Sequence, residues 1–207
     1  MLKWLRKEFE ELVEAIKGGE FAEWIKEKLR LLFDNKEIDD ILNADYLSKW
    51  DDLPVRRKGY LGGNVLKRRQ VQDWIRKIKS ISNGESMLVI LPKGHKLLQG
   101  NRAGFNLFNG NIYVQKGMTE YEIFHESKHL EEFMKLGKDE YIRGMSDLGF
   151  SPKEHLIRMY KREEYVFDEI MKNKNKFNVT ELKDAERYIN DIINRCEKAE
   201  IKIDDIK

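Results

Sequence analysis

Residues 119–136 read TEYEIFHESKHLEEFMKL, and within them His125-Glu126-Ser127-Lys128-His129 has the form H-E-x-x-H. Thr119 and Glu122 form a capping box that opens a helix, and Gly137 stops it. On such a helix, residues four apart lie on one face, so His125 and His129 can reach the same metal ion. Glu126 is rotated from His125 by about 100°. It stands outside the ligand set but within reach of a water held on the metal. Zinc lowers the pKa of such a water, and a glutamate placed there removes its proton. Apolar residues lie on two sides of the helix, Tyr121, Phe133 and Leu136 near the histidines and Ile123, Leu130 and Met134 opposite. That pattern predicts a helix through the middle of a domain.

Two histidines leave a hydrolytic zinc site one protein ligand short. A third histidine at the spacing H-E-x-x-H-x-x-G-x-x-H would fall at Lys135, with the glycine at Glu132, so that arrangement is excluded. The segment Arg162-Glu163-Glu164-Tyr165-Val166-Phe167-Asp168 offers glutamates instead. At 100° per residue, Glu163 falls inside the stripe of Leu156, Met159, Tyr160, Phe167, Ile170 and Met171. A carboxylate there is costly unless it is paired or bound to metal. The spacing E-x-x-x-D instead favours Glu164, with Asp168 orienting a ligand histidine. Both alternatives stay open on the sequence. Tyr160, Tyr165 and His155 are candidates to hydrogen-bond a developing oxyanion, although each is also read as a packing or surface residue.

Before the motif, Phe105–Phe108, Asn109-Gly110 and Asn111–Val114 read as a hairpin with a two-residue turn. That register pairs Leu107 with Ile112 and Phe105 with Val114. Asn111, Ile112, Tyr113 and Val114 are then the expected sheet edge on which a peptide substrate adds as a strand. Asn101 and Arg102 hold either a substrate or the loop. Met87–Leu91, ended by Pro92, is a buried strand. His95 reads as a surface loop residue.

Further helices are expected over residues 65–81, from Ser151-Pro152 to about Met171, and from about Thr180 to Glu200. Residues 1–62 read as a mostly helical N-terminal region and 63–207 as the catalytic domain. The order is α+β, with a small antiparallel sheet and a central metal helix, rather than a doubly wound alternation.

Composition narrows the partners. Thirty-nine basic and 37 acidic side chains leave a net charge of +2 in 207 residues. Such balance argues against a surface built wholesale for nucleic acid, and the basic face of residues 67–79 reads as solvated. One cysteine, Cys196, excludes an intramolecular disulfide and any zinc site needing two thiolates. It lies on an apolar stripe and reads as a buried thiol. No apolar run approaches a membrane span, and the charged first ten residues do not read as a signal peptide.

Taken together, residues 101–105, 111–114, 119–129 and 162–168 resemble the zincin-like metallopeptidase toxin domains of bacterial polymorphic toxins. The resemblance covers roughly residues 83–196. It implies a zinc peptidase cut from a larger secreted protein and delivered into a target cell. It also implies a protein substrate there and a cognate immunity protein that blocks the site. The alternative is a non-catalytic module of the same fold that binds a peptide or partner around a structural metal.

Overall fold

The computed structural model describes residues 58–206. The helices expected within residues 1–57 lie outside them. Five helices and three strands follow in the order α1 (Arg68–Ile81), β1 (Leu88–Leu91), β2 (Ala103–Phe105), β3 (Ile112–Gln115), α2 (Glu120–Leu136), α3 (Lys138–Ile142), α4 (Pro152–Lys172) and α5 (Val179–Lys198). This is the expected α+β order, with a small sheet set among helices.

The sheet differs from expectation in two ways. Its strand order is β1-β3-β2, with β1 parallel and β2 antiparallel to β3. The sheet is therefore mixed, and β3 is its centre. Asn111–Val114 is not an edge: Ile112, Tyr113 and Val114 have strand neighbours on both sides, and Asn111 accepts from the Met87 amide through Oδ1 at 2.9 Å. Among the described residues, the edge strands are β1 and β2.

The hairpin register is also displaced by two residues. Phe105 faces Ile112 and Ala103 faces Val114. Asn106 explains the longer turn, because its Oδ1 accepts from the amides of Phe108 at 2.9 Å and Asn109 at 3.2 Å. Asn109 in turn accepts from the Asn111 amide at 3.0 Å. These asparagine caps replace a tight two-residue turn. Gly110 is required there, with φ +71° and the Ser86 hydroxyl 2.7 Å from where a Cβ would stand. A shift of two keeps each side chain on its original face, since side chains alternate with period two. Ile112 and Val114 remain fully buried, and Leu107 drops out of the ladder.

Helix α2 packs against β2 and β3, and its Ile123, Phe124 and Leu130 are essentially inaccessible. Its start is fixed as expected: Glu122 Oε2 accepts from the Thr119 amide at 2.7 Å. Glu122 Oε1 accepts from Arg102 Nε at 2.6 Å, and Arg102 Nη1 donates to Gln115 at 3.3 Å. Arg102 thus ties the loop before β2 to β3 and to α2, which is the loop-holding role of its two expected ones. Helices α4 and α5 close the other side around Tyr160, Ile189, Ile192 and Cys196. A capping box of Asn178 and Glu181 starts α5 one residue before the expected position.

Candidate metal centre

Helix α2 presents His125 and His129 one turn apart, with ring centroids separated by 5.1 Å. Helix α4 crosses them and inserts Glu163. Its Oε2 lies 3.4 Å from His125 Nε2, and its Oε1 lies 3.4 Å from His129 Nε2. One ligand atom from each of the three falls within 4.8 Å of the other two. A tetrahedral ion with donors about 2.1 Å away sets those donors about 3.4 Å apart. The spacing and the donor set therefore fit a divalent cation with nitrogen and oxygen ligands.

A second observation agrees. Glu163 Oε2 is buried and makes no hydrogen bond among the described residues. A buried carboxylate oxygen without a partner is costly, and a cation between it and the two imidazoles would satisfy it. The electrostatics favour positive charge at this point. Burial opposes protonation of His125, yet the Glu163 carboxylate 3.4 Å away and the charges of Glu126 and Asp184 raise its pKa to about 9. Burial likewise works against the charge on Glu163, but His129 and His125 outweigh it and hold the carboxyl far below the ordinary carboxylate range.

Glu126 is buried beside the two histidines. Burial raises its pKa, with the histidine charges opposing and the Glu163 charge reinforcing the shift. A carboxylate whose proton affinity is raised is a better base than a solvated one.

The glutamate pair resolves by direction. Glu163 joins the histidines, whereas Glu164 accepts a short hydrogen bond from the Tyr160 hydroxyl on the α5 side of α4. Asp168 is exposed and does not reach a histidine; with Glu164 it raises the pKa of Tyr160, after burial. Tyr160 is committed to Glu164 and to the α4–α5 core, so it is not available as an oxyanion donor. Tyr165 has its phenol pKa raised by burial and then by the charges of Glu131, Glu169 and Glu132. His155 Nδ1 is buried without a hydrogen bond and is not among the residues that converge. His95 caps a short turn by accepting from the Leu97 amide at 3.3 Å.

The sequence missed the residue that orients His129. Tyr141, on the short helix α3, lies 3.0 Å from His129 Nδ1 through its hydroxyl and is 1% exposed. Phe105 and Phe133 meet its ring edge-on at 5.6 and 5.5 Å, and the Arg162 guanidinium lies 4.7 Å above it. Arg162 is fixed in turn by an ion pair with Glu132 at 2.8 Å. Were His129 Nε2 to bind a metal ion, Nδ1 would carry the proton and donate it to the Tyr141 oxygen.

A comparison with known families decides the relationship. The sequence description of metallopeptidase toxin 4 matches residues 54–195, about two-thirds of the chain. The chain belongs to the metallopeptidase toxin 4 family. No curated protein and no solved structure matches it. The matched span contains the whole of the His125, His129 and Glu163 convergence and also α1, which lay outside the resemblance read from the sequence. Metallopeptidase family membership implies a metal cofactor and a protein substrate. Among the described residues, no helix of this metallopeptidase toxin is long and apolar enough to cross a membrane.

Proposed function

We propose that the chain is a zinc-dependent peptidase, with His125, His129 and Glu163 as metal ligands and Glu126 as general base. The convergence of those three donors beside a buried Glu126 carries the reading. Zinc held there supplies a Lewis acid and brings the pKa of its water towards ~7. Glu126 accepts the proton of the attacking water and returns it to the leaving amine nitrogen. His129 is kept in register by Tyr141, and Glu163 is carried on a helix locked to α2 by the Arg162–Glu132 pair.

A peptide substrate has a natural place on the free edge of β2. The amide of Asn106 donates to Asn111 and that of Gln115 to Arg102, so the even-numbered residues of this strand point their backbone groups at β3. In an antiparallel ladder the backbone groups of Ala103 and Phe105 then point away from β3. Phe105 also stacks on His129 with centroids 6.2 Å apart, which puts this edge beside the metal helix. Backbone pairing there would align a peptide without demanding particular side chains.

We further assign the catalytic unit to residues 63–207, as the toxin module of a larger secreted bacterial protein that acts inside a target cell and is blocked by a cognate immunity protein. Family membership supports that setting. The direct test compares wild type with Glu126→Gln. The variant is expected to retain one zinc by elemental analysis and to lose proteolysis and toxicity on expression. Proteolysis retained by Glu126→Gln would reject the mechanism, and a zinc-loaded wild type that cleaves nothing in a target-cell lysate would point to the binding module instead.

A further inference from the structure

Tyr188 lies on α5, and its ring meets His125 edge-on with centroids 6.2 Å apart. Its side chain is 45% exposed, unlike the tyrosines Tyr121, Tyr141 and Tyr160 buried nearby. Each of those three has a hydrogen-bond partner for its hydroxyl: Asp184, His129 and Glu164 respectively. Tyr188 has none among the described residues. It is therefore a phenol beside a candidate metal ligand, half open to solvent, with its donor unspent.

Its position is not loose. Asp184 is one turn earlier on the same helix, so Asp184 and Tyr188 share a face. Tyr121 on α2 donates to Asp184 across 3.4 Å, which pins that face of α5 to the metal helix. Ile189 and Ile192 anchor α5 to α4 on its other side. The Tyr188 ring can swing little without breaking its contact with His125.

We propose that Tyr188 is a catalytic residue, donating its hydroxyl hydrogen bond to the scissile carbonyl oxygen as that oxygen takes up negative charge. This rests on the peptidase reading given above. In the step, the water oxygen forms a bond to the carbonyl carbon and the water proton passes to Glu126. The π pair of the carbonyl moves onto its oxygen, and Tyr188 donates to that oxygen without giving up its proton. An ordinary phenol keeps its proton at neutral pH, so the hydroxyl is available to donate. A donor aimed at the developing charge strengthens only as the transition state forms, so it acts on turnover more than on binding.

Tyr188→Phe removes the oxygen and keeps the ring against His125. The test uses a proteome-derived peptide library, with cleavage sites and rates read by mass spectrometry, and the cobalt-substituted protein, with its visible absorption spectrum read as a report on ligand geometry. The expected result is cleavage at the same sites, a rate at saturating peptide lower by about 10²-fold, and an unchanged cobalt spectrum. A rate within about threefold of wild type would overturn the assignment. So would a changed cobalt spectrum, which would make Tyr188 a support for the His125 ring. A metal-loaded wild type inert towards the library would remove the peptidase reading itself, and this role with it, and is recognised without reference to the variant.

Discussion

Helix α4 carries two neighbouring glutamates into two different seams. On the α2 seam, Glu163 meets two imidazoles at 3.4 Å each and keeps one buried oxygen without a hydrogen bond. On the α5 seam, Glu164 is met by the Tyr160 hydroxyl within an apolar cluster of Ile189, Ile192 and Cys196. The second seam has settled its polar group with a neutral donor. The first has gathered two imidazoles, the Glu163 carboxylate and the buried Glu126 where a packing seam would have placed leucines. Polar groups brought together at the cost of burial, and incompletely paired, mark a site rather than a joint.

Three substitutions probe that contrast. Glu163→Ala removes a ligand and is expected to weaken zinc binding by on the order of 10³-fold, measured by competition with a chromogenic chelator; an affinity within threefold of wild type would erase the distinction between the seams. Tyr141→Phe keeps the ring between Phe105 and Phe133 but removes the oxygen facing His129. A tenfold to hundredfold loss of zinc affinity is expected, on the order typical of partners behind a ligand histidine, with the melting temperature moved only slightly. Equal affinity would show that His129 is held by packing alone. Glu164→Gln should leave zinc affinity and peptide cleavage within about twofold of wild type and cost about 1 kcal/mol of stability by denaturant titration. Loss of zinc in that variant would transfer the ligand role to the α5 seam.

Part of this was legible from residue order. The metal helix, its capping box and its glycine stop are local signals, and the structure places Thr119, Glu122 and Gly137 as those signals require. The phase of the α4 stripe pointed to Glu163, because helical period converts sequence position directly into direction. The competing E-x-x-x-D spacing pointed to Glu164 and Asp168, which the structure does not bring to the histidines, because spacing along one helix does not say which neighbour each face meets. Tyr141 reaches His129 only because the chain reverses at Gly137 into a five-residue helix, a turn without periodicity to read. Tyr188 reaches His125 through the docking of α5, a contact across 63 positions of sequence.

The sheet shows the same division. Asn109-Gly110 announced a turn, and a turn is there. Its length is set by Asn106 side-chain bonds that compete with the simple hairpin, so the register moved by two. The central place of β3 depends on parallel pairing with β1, a crossover that no local pattern records. That one topological fact moves the sheet edges from Asn111–Val114 to Leu88–Leu91 and Ala103–Phe105.

The central claim is a single metal ion between α2 and α4. Anomalous X-ray diffraction at the zinc edge, on crystals of the zinc-loaded Glu126→Gln protein, tests it most directly. The account predicts one peak within bonding distance of His125 Nε2, His129 Nε2 and a Glu163 carboxylate oxygen. A peak elsewhere, or none at those three residues in crystals that contain zinc, would contradict it.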